Sequence, residues 1–244
     1  DSPIPFETVF VNDKGYSDVR HINLSNTKFW SGNIGQGTFT VNIEKYTKLK
    51  DLNISSSIVT SISLPNASLA SLNITNSAVE GISLVNQPFL DRLDFSGCKR
   101  LKTVTVDSCD KITELNLSNL GDLHTIRITS CPNLKSIICT NNVNLTTFNV
   151  SNCNNVEIIN ISQCTNAALT VYIVGVPNIK ELNVSSTNTP NDIQVASSLP
   201  NLRTLNISNS QVSAIQYGNA AVPTYKENKI FDVSKLNLTS LSVQ

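Results

Sequence analysis

Apolar residues return along this chain in the pattern L-x-x-L-x-L at a nearly constant step of 10 or 11 residues. The pattern opens at Leu49, Leu52 and Ile54 and comes back at Val59, Ile62, Leu64, at Leu69, Leu72, Ile74 and at Val79, Ile82, Leu84. From Leu90, Leu93 and Phe95 the step lengthens to 11 and holds through Leu101, Ile112, Leu123, Leu134, Leu145 and Val156 as opening residues. It slips once near Leu169 and resumes at Ile179, Leu202, Val212 and Leu238. A period kept over most of a chain means that each unit buries its apolar edge against its neighbours, which is the definition of a solenoid.

Within a unit, L-x-L has the period of a strand: both apolar residues point inward and the residue between them points out. Eleven residues are too few for a strand, a helix and two turns. Each unit is therefore half a coil, one strand and one tight corner, and two units close a coil of about 20 to 22 residues. The expected fold is one continuous domain of parallel, β-dominated coils with few or no helices. Its expected zones are an N-terminal cap over 1–46, repeats over 47–217, and an insertion loop with a last coil at Leu238, Leu241 and Val243 over 218–244. Seven of the 14 aromatic residues fall in the first 46, as a cap that hides an open core requires. A degenerate first coil is expected at His21-Ile22-Asn23-Leu24. The alternative for this zone is a sugar platform built on an exposed Trp30 or Tyr46.

The repeat, a double L-x-x-L-x-L-x-x-[N/C]-x, resembles the short, nested bacterial leucine-rich repeats of the cysteine-containing internalin J type over about residues 49 to 217. The resemblance implies a right-handed leucine-rich-repeat solenoid. It also implies a recognition or adhesion module of a secreted or surface-displayed bacterial protein, with lipid anchoring one route to the surface. The chain starts at Asp1 and contains no Met, which reads as a mature or trimmed form.

Charge narrows the partners. Eighteen basic residues balance 18 acidic ones and no Lys/Arg run exceeds two, so no field collects phosphates and nucleic acid is excluded as a partner. No apolar stretch is long enough to span a bilayer. The remaining partner classes are an extracellular protein or a glycan, bound by a monomer.

Sorting alternate units gives two columns of outward residues. Column A carries Asn53, Asn73, Asp94, Asn116, Ile138, Asn160, Asn183 and Asn206, and column B carries Ser63, Ser83, Thr105, Arg127, Asn149 and Tyr172. Stacked amides that bond to one another at strand spacing explain column A without a ligand, and a binding surface is the other reading. Column B varies more. The period breaks again between Gly218 and Lys229, where Tyr217, Tyr225, Lys226, Glu227 and Lys229 gather. Loops that interrupt a solenoid are exposed and free to change sequence, so the expected contact surface is Tyr217 to Lys229 with Tyr172, Gln216 and Arg127 nearby.

Six cysteines suggest disulfides, but their register argues otherwise. Cys109, Cys131 and Cys153 stand 22 residues apart at one corner, and Cys98 and Cys164 take the matching place in column A with Leu120 and Asn142 between them. Stacked side chains point the same way, which is poor disulfide geometry. The expected state is six buried free thiols, with Cys139 at an ordinary inward position. No C-x-x-C or paired Cys/His spacing marks a metal site, and no cofactor is implied. Eleven N-x-S/T triplets fall on the repeat register itself, where sugars on adjacent coils would collide.

No catalytic residue is assigned. His21 and His124 lie far apart in sequence with no G-x-S-x-G, H-E-x-x-H or P-loop pattern near them. Arg92, Asp94 and Glu114 are expected to gather on adjacent column A strands as an ion-pair patch, or more remotely as the acid/base set of a polysaccharide-degrading solenoid. Thr103, Thr105, Thr125, Thr129 and Thr147 raise an ice-binding array, which Arg127 and Asn149 interrupt. Recognition is the function expected, and a structural spacer displaying another module is the alternative.

Overall fold

Alternation of one inward and one outward residue builds short strands, and the computed structural model stacks them into a parallel solenoid. It describes residues 18–26, 40–66, 68–188, 193–195, 199–210, 215–217 and 240–242. Among these there are no helices. Column B forms one sheet of nine strands: Thr40–Asn42, Ser61–Ser63, Gly81–Val85, Thr103–Asp107, Thr125–Thr129, Thr147–Ser151, Thr170–Val174, Ile193–Val195 and Ile215–Tyr217. Column A forms two sheets on the other side. One holds His21–Asn23, Asp51–Asn53 and Ser71–Asn73, and the other runs from Glu114–Asn116 through Ser136–Ile138, Ile158–Asn160, Glu181–Asn183 and Thr204–Asn206 to Ser240–Ser242. Residues 91–95 lie between these two sheets and form no strand, at the point where the half-coil lengthens from 10 residues to 11.

Register follows the apolar pattern. Leu115 pairs with Ile137 and Ile137 with Ile159, while Val104, Ile126, Phe148 and Val171 line up across the opposite sheet. A one-residue slip would turn every one of these side chains out to water. The core is a file of such residues, nearly all fully buried, with Phe95 and Phe148 the largest among them. The slip near Leu169 costs no register. One extra residue is taken up in the corner, where Asn166 Oδ1 accepts from Ala168 N at 2.8 Å, and Thr170 still pairs with Thr147. The first coil lies where His21-Ile22-Asn23-Leu24 suggests, with Ile22 paired to Leu52. Tyr46 is buried in the core and offers no sugar platform, while Trp30 lies outside the described residues.

Corners explain the abundance of Asn and Ser. Most place one residue in the left-handed region, and Asn26, Ser56, Asn76, Asn119, Asn141 and Asn152 among others take φ between 52° and 61° there. Asn tolerates this region because its short polar side chain bonds locally. The left-handed residue also continues the stack, since Asn119 N donates to Thr140 O and Asn141 N to Ser162 O, at 2.9 and 3.0 Å. At Gly97, φ is 73° and an added Cβ would fall 1.9 Å from Asn76 Oδ1, so glycine is required by the neighbouring coil as well as by its own backbone.

The column A amides do not form the expected ladder. Each bonds within its own coil: Asn53, Asn73, Asn116, Asn160, Asn183 and Asn206 accept through Oδ1 from the backbone N–H two residues on, at 3.0 to 3.1 Å. This is an Asx turn, and it wins because the strand ends at the amide and the chain must satisfy that N–H while turning. Asp94 does the same for Ser96, whose backbone and hydroxyl bonds hold the Asp94 carboxyl below the usual range. Ile138 cannot, and Thr140 N donates instead to Ser118 Oγ at 3.2 Å.

All six cysteines are free and buried. Cys98 Sγ lies 3.0 Å from Ile74 O and Cys164 Sγ 3.1 Å from Cys139 O, each meeting the carbonyl one residue past the previous coil's strand. Cys153 Sγ accepts from Cys131 N at 3.4 Å. The thiols thus plug corners with a small, weakly polar group. Burial pushes the Cys109 thiol up to about 11 and Cys139 well above its ordinary range. Thiol titration is expected to count six groups in denaturant without reductant and to react far more slowly in the native protein. A denatured count of zero or two would replace the plugs with disulfides.

Candidate functional site

The outer side of the nine-stranded sheet is the most varied surface of the molecule. Residues 103, 105 and 107 of one strand point out while Val104 and Val106 are buried, and the same alternation holds on its neighbours. Parallel pairing then makes columns along the solenoid axis. Thr105 pairs with Arg127, Arg127 with Asn149, Asn149 with Tyr172, Tyr172 with Gln194 and Gln194 with Gln216. Three residues expected at the contact surface, Arg127, Tyr172 and Gln216, therefore share one column at strand spacing, although 45 residues separate Arg127 from Tyr172. Tyr217 sits one place along from Gln216 at the end of its strand. Tyr225, Lys226 and Lys229 lie outside the described residues.

The side chains of Arg127 and Tyr172 in this column are available. Tyr172 is 37% exposed and Val174 beside it 36%, and Arg127 is exposed. Among the described residues no carboxylate lies within ion-pair distance of Arg127. Asp107, across the face, instead accepts from Ser108 Oγ at 3.0 Å. To one side runs a hydroxyl row of Thr103, Thr125, Thr147 and Thr170 in register, and to the other Asp107, Thr129, Ser151 and Val174. Thr129 and Ser151 hydroxyls bond to each other at 3.2 Å. The face offers one cation, one aromatic ring and many hydroxyls and amides on a rigid sheet, which suits recognition and supplies no activated nucleophile.

Elsewhere among the described residues no reacting constellation forms. The proposed Arg92, Asp94 and Glu114 patch is not an ion-pair cluster, because Asp94 is bound by Ser96 and residues 91–95 form no strand to align the three. The ion pairs seen are His21 with Asp51, Lys48 with Asp18, Arg100 and Lys102 with Glu80, and Lys180 with Glu157. His21, Asp51 and Ser71 share a column, but Asp51 stands between the other two, so His21 cannot take a proton from Ser71. His124 Nδ1 is held by the carbonyl of Asp122. Among the described residues, no three of His, Cys, Asp and Glu converge as metal ligands, and no helix is long and apolar enough to cross a membrane.

Two features escaped the sequence reading. Asn133, Asn155 and Asn178 send Nδ2 to the carbonyl of the preceding coil, at Asp110, Pro132 and Asn154, at 2.7 to 2.9 Å. Asn201 joins this edge ladder through Asn178 Oδ1 at 3.0 Å. Its signal is an Asn directly before the opening apolar residue, as in Pro132-Asn133-Leu134 and Pro177-Asn178-Ile179. The second feature is Phe89, which is 46% exposed.

A family model described as the leucine-rich-repeat domain of At1g61320/AtMIF1 matches residues 8–233. The chain belongs to the leucine-rich-repeat proteins. No curated protein matches its sequence. For a leucine-rich-repeat protein the observed division is informative: one side of the coil uses its outward amides to close its own turns, and the other carries Arg127 and Tyr172 exposed at the centres of longer strands.

Proposed function

We propose that this leucine-rich-repeat protein is a non-enzymatic recognition module that binds an extracellular protein or glycan along the outer centre of its nine-stranded sheet. The observation that carries the reading is the alignment of Arg127, Asn149 and Tyr172 in one column with Gln194 and Gln216. Tyr and Arg dominate interface energetics, and here both stand on a rigid sheet. The contact surface extends, on this proposal, into the segment from Tyr217 to Lys229, with Tyr225, Lys226 and Lys229 as contacts. Secretion or surface display by a bacterium belongs to the same proposal. Its support is the resemblance of the cysteine-bearing corners to internalin J-type repeats and the crowding of N-x-S/T triplets on adjacent coils.

The purified chain is to be screened on a glycan array and, in parallel, in pull-downs from host extracellular protein. With any ligand so found, Tyr172→Ala with Arg127→Ala is expected to weaken binding by about 1 to 2 kcal/mol or more with an unchanged melting temperature. Equal affinity would move the site off this sheet. Silence in both screens would favour the spacer reading.

A further inference from the structure

Phe89 breaks the rule that governs its edge of the solenoid. The edge ladder of Asn133, Asn155 and Asn178 occupies the position just before each opening apolar residue. Earlier in the chain that position holds Lys48, Ser68, Phe89 and Lys111. Amides that bind coil to coil are thus replaced by two cations, a serine and a ring.

This edge position faces solvent in most coils, at Lys48, Lys111, Asn133 and Asn155 as at Phe89, and Ser68 is the exception. Leu69 lies only seven residues after Ile62, whereas Leu90 lies eight after Ile82, so the corner one coil before Phe89, which carries Ser68, is one residue short. Ser68, at the equivalent place in that short corner, is 2% exposed and its Oγ has no partner. One coil on, Phe89 is 46% exposed. Lys50 Nζ stands 4.7 Å and Lys111 Nζ 5.9 Å from the ring centroid. Lys50 comes from two coils before and Lys111 from one coil after, so the ammoniums flank the ring along the axis. Among the described residues neither ammonium has a carboxylate within ion-pair distance, whereas Lys48, Lys102, Lys180 and Arg100 each do.

We infer that Phe89, Lys50 and Lys111 form a second docking surface for an acidic, apolar segment of a partner protein, whose apolar side chain covers the ring while its carboxylates meet the two ammoniums. Charge complementarity selects an acidic occupant. The half-exposed ring favours an apolar side chain and the two ammoniums favour carboxylates, so a protein segment carrying both fits better than a neutral polysaccharide. This surface is separate from the sheet column through Arg127 and Tyr172, and either can fail without the other.

The test is a selection of random dodecapeptides displayed on phage, run on the whole parent chain and on F89A/K50E/K111E. The parent is expected to enrich peptides rich in Asp and Glu with interspersed apolar residues. Synthetic copies are expected to lose about tenfold or more in affinity on Phe89→Ala and on K50E/K111E, and to bind Y172A/R127A as they bind the parent. These exposed residues carry little of the core, so all variants are expected to melt with the parent. Should the triple variant unfold, Lys50→Gln and Lys111→Gln are read singly, each with a loss of at least about threefold expected. Indistinguishable pools from parent and variant, a pool without acidic residues, or no enrichment at all would overturn the inference. So would heparin binding that follows the lysines and ignores Phe89.

Discussion

Leu115→Asp and Ile126→Asp are each expected to abolish the cooperative fold of the coils around them. Both residues are inward centres of their strands and no more than 1% exposed; Leu115 pairs with Ile137, and Ile126 with Val104 and Phe148, all equally buried. The substitution removes an apolar side chain worth about 2 to 3 kcal/mol of burial. It adds a carboxyl group with no buried partner, for a total of about 4 kcal/mol or more. Whole domains hold only about 5 to 15 kcal/mol. In a solenoid, stability is a sum over neighbouring units, so the loss concentrates in a few coils and the melt should broaden as well as shift. The folded carboxyl would titrate above its unfolded value, so the damage is greatest near neutral pH. It shrinks below about pH 4, where the group is neutral in both states. Far-UV circular dichroism melts at both pH values check this, and a variant melting within a few degrees of the parent would disprove the register.

That register was legible because period-two alternation with an 11-residue step admits one assignment of inward residues, and every opening residue from Leu49 to Ile179 is buried. The cysteine corners were legible for the same reason, as equal spacing puts Cys109, Cys131 and Cys153 in one place on successive coils. What sequence could not decide was the direction of a bond. An outward Asn at strand spacing can bond to the next coil or to its own turn, and the choice depends on whether the strand continues beyond it. At Asn53 and Asn116 the strand stops and the turn takes the oxygen. Column B strands such as Thr125–Thr129 run two residues further, so their centres stay free for contact. Phe89 was hidden for a different reason. It precedes an opening apolar residue and reads as part of the core pattern, but this place turns to solvent in its own coil as it does at Lys48, Lys111 and Asn133.

Asn142 sets the second large expected effect, because it is a fully buried amide in a column otherwise filled by Ser, Thr, Cys and Leu. Its Nδ2 donates to Leu117 O at 2.8 Å and to Cys139 O at 3.3 Å, and its Oδ1 accepts from Leu120 N at 2.8 Å. One coil earlier the equivalent carbonyl, Phe95 O, already receives Cys98 N at 3.1 Å, which is why Leu120 fills the column there without a polar atom. Leu120 N has turned instead to Asn142, so Leu117 O depends on the same side chain. Asn142→Leu therefore strands a buried donor and a buried acceptor together, at about 1 to 3 kcal/mol for each group. Asn142→Cys should lose less, since a thiol at this position can reach the carbonyl as Cys98 reaches Ile74 O and Cys164 reaches Cys139 O. Asn142→Asp can still accept from Leu120 N but, when ionised, faces two carbonyl oxygens with no proton to offer. Its folded pKa should rise, and its stability should recover as pH falls. Urea unfolding is expected to order the midpoints as parent, then Cys, then Leu, with Asp lowest at neutral pH and climbing in acid. A leucine variant as stable as the parent would mean that water reaches Leu117 O and Leu120 N, and that the corner is not sealed.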